Sequence, residues 1–253
     1  MLTPYGLIRA GERIERGREI CLTGEALGNL LLWGPRPGEA LTIVDAMGSG
    51  FRARVTGLGE ETASLQVFEA LGPVFLTPEV LLLMALPDKE RMETIIEKTT
   101  ELGISAILPF KSERSISLEE REKRQRKAHR WPHIALCAAK QSRRPTLPRI
   151  LRYRGFREAL EAADKAGRDA MRIILEHEDK ASKPLREVLG VEGSKKREKA
   201  VILCGPEGGF TGSETEMARK KGFIPVSLGP RVLRTETAAM LATGLVMYEL
   251  QRE

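Results

Sequence analysis

Cysteine is scarce. The 253 residues hold three, Cys21, Cys137 and Cys204, too far apart for a disulfide framework or a CxxC metal knuckle. The three histidines (His129, His133 and His177) show no ligand spacing with them, so no metal site is expected. Long apolar runs are also lacking. The longest, Val80 to Leu86, has seven residues, far short of the roughly 20 a membrane-spanning helix needs. Charges at Arg9, Glu12 and Arg13 interrupt the N-terminal stretch before any apolar core forms, so no secretory signal is expected. Repeats and low-complexity segments are missing as well. The expectation from these absences is a globular cytoplasmic protein with no membrane partner.

What is present supports a folded chain. With 42% hydrophobic and 30% charged residues, disorder is excluded as the main state. The length suits one large domain or two modest ones. The formal net charge is +6, and its distribution is uneven. Lys111 to Arg157 carries fifteen basic and four acidic residues, a net +11, so the rest of the chain nets −5. A basic block in an otherwise acidic protein is the footprint of a polyanion-binding surface. A solvated helix face is the competing reading where Glu119, Glu120 and Glu122 share the block. Lys140-Gln-Ser-Arg-Arg144 has no acid, and arginine outnumbers lysine across the block, which suits bidentate phosphate contacts.

The first 75 or so residues read as a small, mostly antiparallel β domain. Ala40–Val44 and Phe51–Val55 have strand character between Gly and Pro turns. Phe51, Ala53 and Val55 alternate with Arg52 and Arg54, the period-2 pattern of a half-buried strand. Beyond Pro78, strands and helices alternate, which predicts a mostly parallel α/β sheet. Val80–Leu86 reads as a strand covered on both faces. Asp88 caps a helix with Met92, Ile95, Ile96, Thr99 and Leu102 on one side, closed by Gly103. Ser117 with Glu120 forms a capping box for a long basic helix, kinked or split at Pro132. Further strands are expected over Ile104–Phe110, Met171–Glu176, Ala200–Cys204 and Phe223–Leu228. Further helices are expected over Phe156–Ala166, Leu185–Leu189 and Thr235–Leu250.

Two glycine-containing segments each follow a strand and precede a helix, where ligands bind in open α/β folds. Gly205-Pro-Glu-Gly-Gly-Phe210 is followed by Thr211 and Ser213 with Glu214 and Glu216, a capping-box start. It lacks both GxGxxG and the Walker GK[ST], and Glu207 would repel a polyphosphate. A ligand with a positive centre, such as the sulfonium of S-adenosylmethionine, is more compatible, although such turns are commonly only turns. The second segment, Leu228-Gly-Pro-Arg-Val-Leu-Arg-Thr-Glu-Thr-Ala238, sets Arg231 and Arg234 before a helix. Thr235 reads as its N-cap.

These two segments resemble the RsmE family, the 16S ribosomal RNA uracil-N3 methyltransferases of the SPOUT superfamily. Glu97-Lys-Thr-Thr-Glu-Leu-Gly103, Ser112-Glu-Arg-Ser115 and Ala138-Ala-Lys-Gln-Ser-Arg143 followed by Pro148 add to the likeness, which covers about Val80 to Leu250. The chain departs from the family at Leu22-Thr-Gly-Glu-Ala-Leu27 and at Lys140. The resemblance implies an α/β, SPOUT-type mostly parallel sheet with a C-terminal trefoil knot over residues 76–253. It also implies a small N-terminal PUA-like β-barrel over residues 1–75, a homodimer, and 16S ribosomal RNA in the small ribosomal subunit as partner. The implied cofactor is S-adenosyl-L-methionine. Its contacts are Leu175, Leu203, Gly205, Glu207, Gly209, Leu228, Gly229, Leu233 and Thr235.

Methylation of uracil N3 requires loss of its proton and stabilisation of the resulting anion. Arg234, with Arg231 second, is expected to supply positive charge, and Glu236 is either a general base or an ordering group. Arg114, Gln141, Arg143 and Arg144 are the RNA-binding candidates. Methylation of a ribose 2′-hydroxyl and a non-catalytic role in ribosome assembly remain the alternatives.

Overall fold

Period-2 alternation before residue 75 and unbroken apolar runs after residue 78 build two different sheets. The computed structural model describes residues 3–74, 78–115, 119, 130–167, 169–177, 181–190 and 198–251. The chain divides into two compact units.

The first unit comprises Pro4–Leu76 together with Leu136–Leu147. Its sheet is antiparallel, in the order β1-β4-β3-β2, from β1 (Glu19–Leu22), β2 (Ala40–Val44), β3 (Ser49–Leu58) and β4 (Ala63–Pro73). Helix α1 (Gly24–Leu32), which no sequence signal announced, turns Leu27 and Leu30 inward. Ile8, Trp33, Ile43 and Leu65 form the core with Ala139 and Leu147 from the later segment. Tyr5 and Leu147 exchange backbone hydrogen bonds at 3.1 and 2.8 Å. The two pieces of sequence therefore share one core, whereas the expected boundary near 75 gave the later piece to the second domain. Arg52 also departs from simple alternation. It is 8% exposed, and its guanidinium donates to Thr42 Oγ1 (3.0 Å) and the Ala40 carbonyl (2.9 Å).

The second unit comprises Met1–Thr3, Thr77–Ala135 and Pro148–Arg252. Its strands are β5 (Glu79–Ala85), β6 (Ala106–Lys111), β7 (Arg149–Ile150), β8 (Arg154–Gly155), β9 (Met171–Leu175), β10 (Lys183–Pro184), β11 (Lys199–Cys204) and β12 (Ile224–Ser227). They pair in parallel in the order β10-β12-β9-β11-β5-β6-β7, with β8 also on β6. The apolar run of β5 serves both faces. Val80, Leu82 and Met84 join one core, and Leu81, Leu83 and Ala85 the other.

Helices cover both faces. On the first lie α2 (Lys89–Glu101), the start of α3 (Trp131–Gln141), α5 (Leu185–Leu189) and α7 (Thr235–Leu250). On the second lie α4 (Phe156–Asp164) and α6 (Gly212–Lys220). Asp88 caps α2 as its position predicts, accepting from the Arg91 backbone N–H at 3.0 Å. The expected capping box at Ser117 and Glu120 lies outside the described residues. Pro132 falls in the first turn of α3, and the part of the expected long helix before residue 130 lies outside the described residues.

Candidate active site

The carboxyl ends of three adjacent strands, β12, β9 and β11, converge on a cavity of about 750 Å³, within the usual range for small-molecule sites. Leu175, Glu176 and His177 line it from the end of β9. Cys204 to Phe210 line it after β11, and Val226 to Leu228 with Arg231 to Thr235 after β12. Arg91 of α2 and Arg114 beyond β6 complete the charged wall.

Local chemistry fixes both loops. Gly205 passes so close to Phe210 that a Cβ would lie 3.0 Å from the ring. Phe210 is anchored in turn against Phe156, with ring centroids 5.9 Å apart. Gly229 has φ +126°, a backbone state that a side chain would strain. The Thr235 hydroxyl donates to the Gly205 carbonyl at 3.5 Å and so ties one loop to the other. Arg234, not Thr235, is the N-cap residue of α7, and it makes no side-chain cap. The expectation of a Thr235 cap is corrected on that point.

The cavity carries charge of both signs, with Arg91, Arg114, Arg231 and Arg234 facing Glu176 and Glu207. Arg91 ion-pairs with Glu207 and lies 3.3 Å from Asp88 Oδ2 and 3.7 Å from Glu236 Oε2. It thus offsets repulsion among three carboxylates on different segments. Cys204 lies at the base, fully buried, and burial pushes its thiol up to about 12. A thiol that stays protonated at neutral pH is no nucleophile.

Among the sequence-expected residues, Leu175, Gly205, Glu207, Gly209, Leu228, Leu233, Thr235, Arg231 and Arg234 line the cavity together. Leu203 is not among the lining residues and its side chain packs in the core; the contact expected of it is through its backbone. Gly229 and Glu236 are also outside the lining, and Glu236 turns towards Arg91. Arg114, expected at an RNA surface, lies in the cavity wall. Gln141, Arg143 and Arg144 belong to the other unit. Gln141 and Arg143 are exposed. Arg144 is 8% exposed, and burial pushes its pKa down to about 10. It stays protonated at neutral pH, and its burial leaves little of the guanidinium surface open to RNA.

Sequence reading missed Arg91, Glu176 and His177. The ends of adjacent parallel strands meet whatever their order in the chain, so position at a strand end was the signal that could have found Glu176 and His177. Nothing in the spacing of α2 flagged Arg91.

A cavity lined by glycine loops and holding charges of both signs fits a zwitterionic ligand with an additional positive centre. The comparisons agree with this chemistry. The family profile described as the RNA methyltransferase domain matches residues 76–247. Ribosomal RNA small subunit methyltransferase E of Bacillus subtilis is 29% identical over 95% of this chain and 94% of its own length. The protein of the same name from Synechocystis is 33% identical over 83% of this chain and 66% of its own. The crystal structure of the Neisseria gonorrhoeae protein of that name, bound to S-adenosyl methionine, is 31% identical with a TM-score of 0.65, covering 97% of both chains. A methyltransferase from Legionella pneumophila in complex with the same cofactor gives a TM-score of 0.62 at 27% identity over 95% of this chain and 96% of its own. With a family profile over most of its length and a relative above 30% identity matched almost end to end, the chain belongs to the ribosomal RNA small subunit methyltransferase E family.

Proposed function

We propose that this protein transfers the methyl group of S-adenosylmethionine to N3 of a specific uridine in 16S ribosomal RNA. The observation that carries the reading is the cavity at the ends of β9, β11 and β12, with Arg231 and Arg234 on one loop and Glu207 on the other. The cofactor supplies a methyl group on a sulfonium, open to in-line attack. Transfer would form the N3–CH3 bond as the S–CH3 bond breaks, the neutral thioether S-adenosylhomocysteine would leave, and the N3 proton would pass to solvent water.

Arg234 and Arg231 place positive charge where the uracil anion develops. Glu176 and Glu207 would hold the cofactor's positive groups, and the glycine backbone would let amides and carbonyls approach it. Closeness of the two reacting atoms supplies on the order of 7 kcal/mol or more in favourable cases. Glu236 acts as an ordering group for the α7 start through Arg91.

The same reading takes the second unit as a SPOUT domain with a trefoil knot and the first as a PUA-like domain that holds RNA. It places the enzyme in the cytoplasm, acting on the small ribosomal subunit. No helix among the described residues is long and apolar enough to cross a membrane. A homodimer is supported by α7. Ala239, Ala242 and Val246 are buried on its inner side, while Leu241, Leu245 and Tyr248 are left 40%, 41% and 81% exposed on its outer side.

Incubation with labelled S-adenosylmethionine, with small subunits and naked 16S RNA in parallel, tests the activity. Mass spectrometry of the product should place the label on uracil N3. Label on a ribose 2′-oxygen would identify a different methyltransferase, and no transfer at all would leave an assembly factor.

A further inference from the structure

The geometry points to Glu214 as a positioning residue of this site. Its buried carboxylate fixes Arg114 in the cavity wall, where Arg114 binds a phosphodiester of the RNA substrate. The inference rests on the methyl-transfer reading above.

Glu214 is the third residue of α6 and is 1% exposed. Its Oε2 accepts from the Thr211 backbone N–H at 3.0 Å, which completes a capping box. A capping box alone does not require burial, because capping side chains work in contact with water. The remaining bonds cross the fold. Oε2 also accepts from Ser112 Oγ at 3.2 Å, and Oε1 accepts from the Glu113 backbone N–H at 3.0 Å. A buried carboxylate is tolerated only when it is hydrogen-bonded in this way.

One carboxylate thus joins the turn after β6 to the loop after β11. The Ser112–Ser115 turn is rigid in itself. The Ser115 hydroxyl accepts from the Ser112 N–H at 3.0 Å and donates to its carbonyl at 3.1 Å. Lys111 also donates to the Ser115 carbonyl. Between the two glutamate-bound positions and Ser115 lies Arg114, whose Nη1 donates to the Gly208 carbonyl at 2.6 Å. Arg114 is exposed, and one donor spent on a carbonyl leaves most of the guanidinium fork for an anion. Two other cavity arginines, Arg231 and Arg234, come from the β12–α7 loop. Arg114 therefore supplies charge from a different segment of the wall.

The test uses the full chain, with R114A, E214Q, E214A and the double variant R114A/E214A. Readouts are KM for small subunits, kcat, affinity for S-adenosylmethionine, salt dependence of 16S RNA binding, and melting temperature. R114A should raise KM for RNA about 10-fold, the loss of one charged hydrogen-bond contact. Its salt slope should fall by about one, with cofactor affinity unchanged. E214Q replaces an acceptor by a donor towards Ser112 or Glu113, and should reproduce the same KM and slope changes even if E214A fails to fold. The double variant should be no worse for RNA than either single one. The assignment is overturned if E214Q lowers only the melting temperature while KM and slope stay at wild-type values. It is equally overturned if R114A weakens cofactor binding and leaves KM for RNA unchanged. A wild-type protein that transfers no methyl group would sink the functional reading instead, and the RNA-binding arm would still decide on Glu214.

Discussion

Arg234 is N-cap residue of α7 yet spends no side-chain bond on capping, and its side chain lines the cavity. Arg234→Ala should therefore leave the fold intact and lower kcat about 100-fold, the scale of losing one preorganised donor to a developing anion. Cofactor affinity measured by calorimetry should change far less; an equal loss in both would assign Arg234 to cofactor binding alone. Cys204 gives a second expectation. Burial pushes its folded pKa to about 12, above the ordinary thiol value of 9.0, so only the unfolded chain ionises it between those limits. Its stabilising effect is complete below pH 9 and is lost as pH rises towards 12. Cys204→Ala should flatten the fall in melting temperature above pH 9, whereas Cys21→Ala, at an exposed site, should not. At this scale the sequence was legible where a residue sits in a glycine-bearing strand-end loop, as Gly205, Glu207 and Arg231 do. It was not legible for Arg91, nor for the bonds Glu214 makes to Ser112 and Glu113 beyond its expected capping role, because those partners are distant in the chain and meet only through sheet order.

Periodicity carried most of the elements. The start of α7 at Thr235 and its end at Leu250 follow from its apolar pattern, and α2 follows from Asp88 and Gly103. Helix α1 did not stand out because Gly24 and Gly28 dilute its helical pattern, and its stability comes from burying Leu27 and Leu30 under the sheet. Gly103 has φ +103°, and a Cβ there would meet Met247 Cε at 2.7 Å. Gly103→Ala should cost about 1–2 kcal/mol in denaturant unfolding, mainly from the left-handed backbone, because the Met247 methyl at the end of its flexible side chain can swing aside. On the other side of α7, Leu245→Asp should leave the helical circular dichroism of the folded chain unchanged, since Leu245 is 41% exposed. Sedimentation should show a smaller species than wild type if that side is the dimer surface, and an unchanged species would remove the outer side of α7 from the interface.

Across the whole molecule, the basic stretch that reads as one block from Lys111 to Arg157 is divided between two units. Arg114 and the arginines from Arg149 onward belong to the parallel-sheet unit, and Lys140 to Arg144 to the antiparallel one. Linear charge counting could not see that division, because it depends on where α3 passes from one core to the other. Arg143 gives it a sharp test. It is the single non-glycine residue with positive φ (57°) among the described residues, at a helix end where glycine costs least. Its charge also opposes that of Arg52. Arg143→Gly should raise stability by roughly 1 kcal/mol while weakening RNA binding and lowering its salt slope by about one. Unchanged RNA binding would mark Arg143 as a tolerated oddity of the loop. The split core has a further consequence, for synthesis. The antiparallel unit needs Ala139 and Leu147 to close around Ile8 and Trp33, and these are translated only after β5, α2 and β6. At about 5–20 residues per second, the first 76 residues wait roughly 4–14 s for their missing wall. During that interval the nascent chain holds Ile8 and Trp33 without the residues that complete their core, so the antiparallel unit can close only late in synthesis.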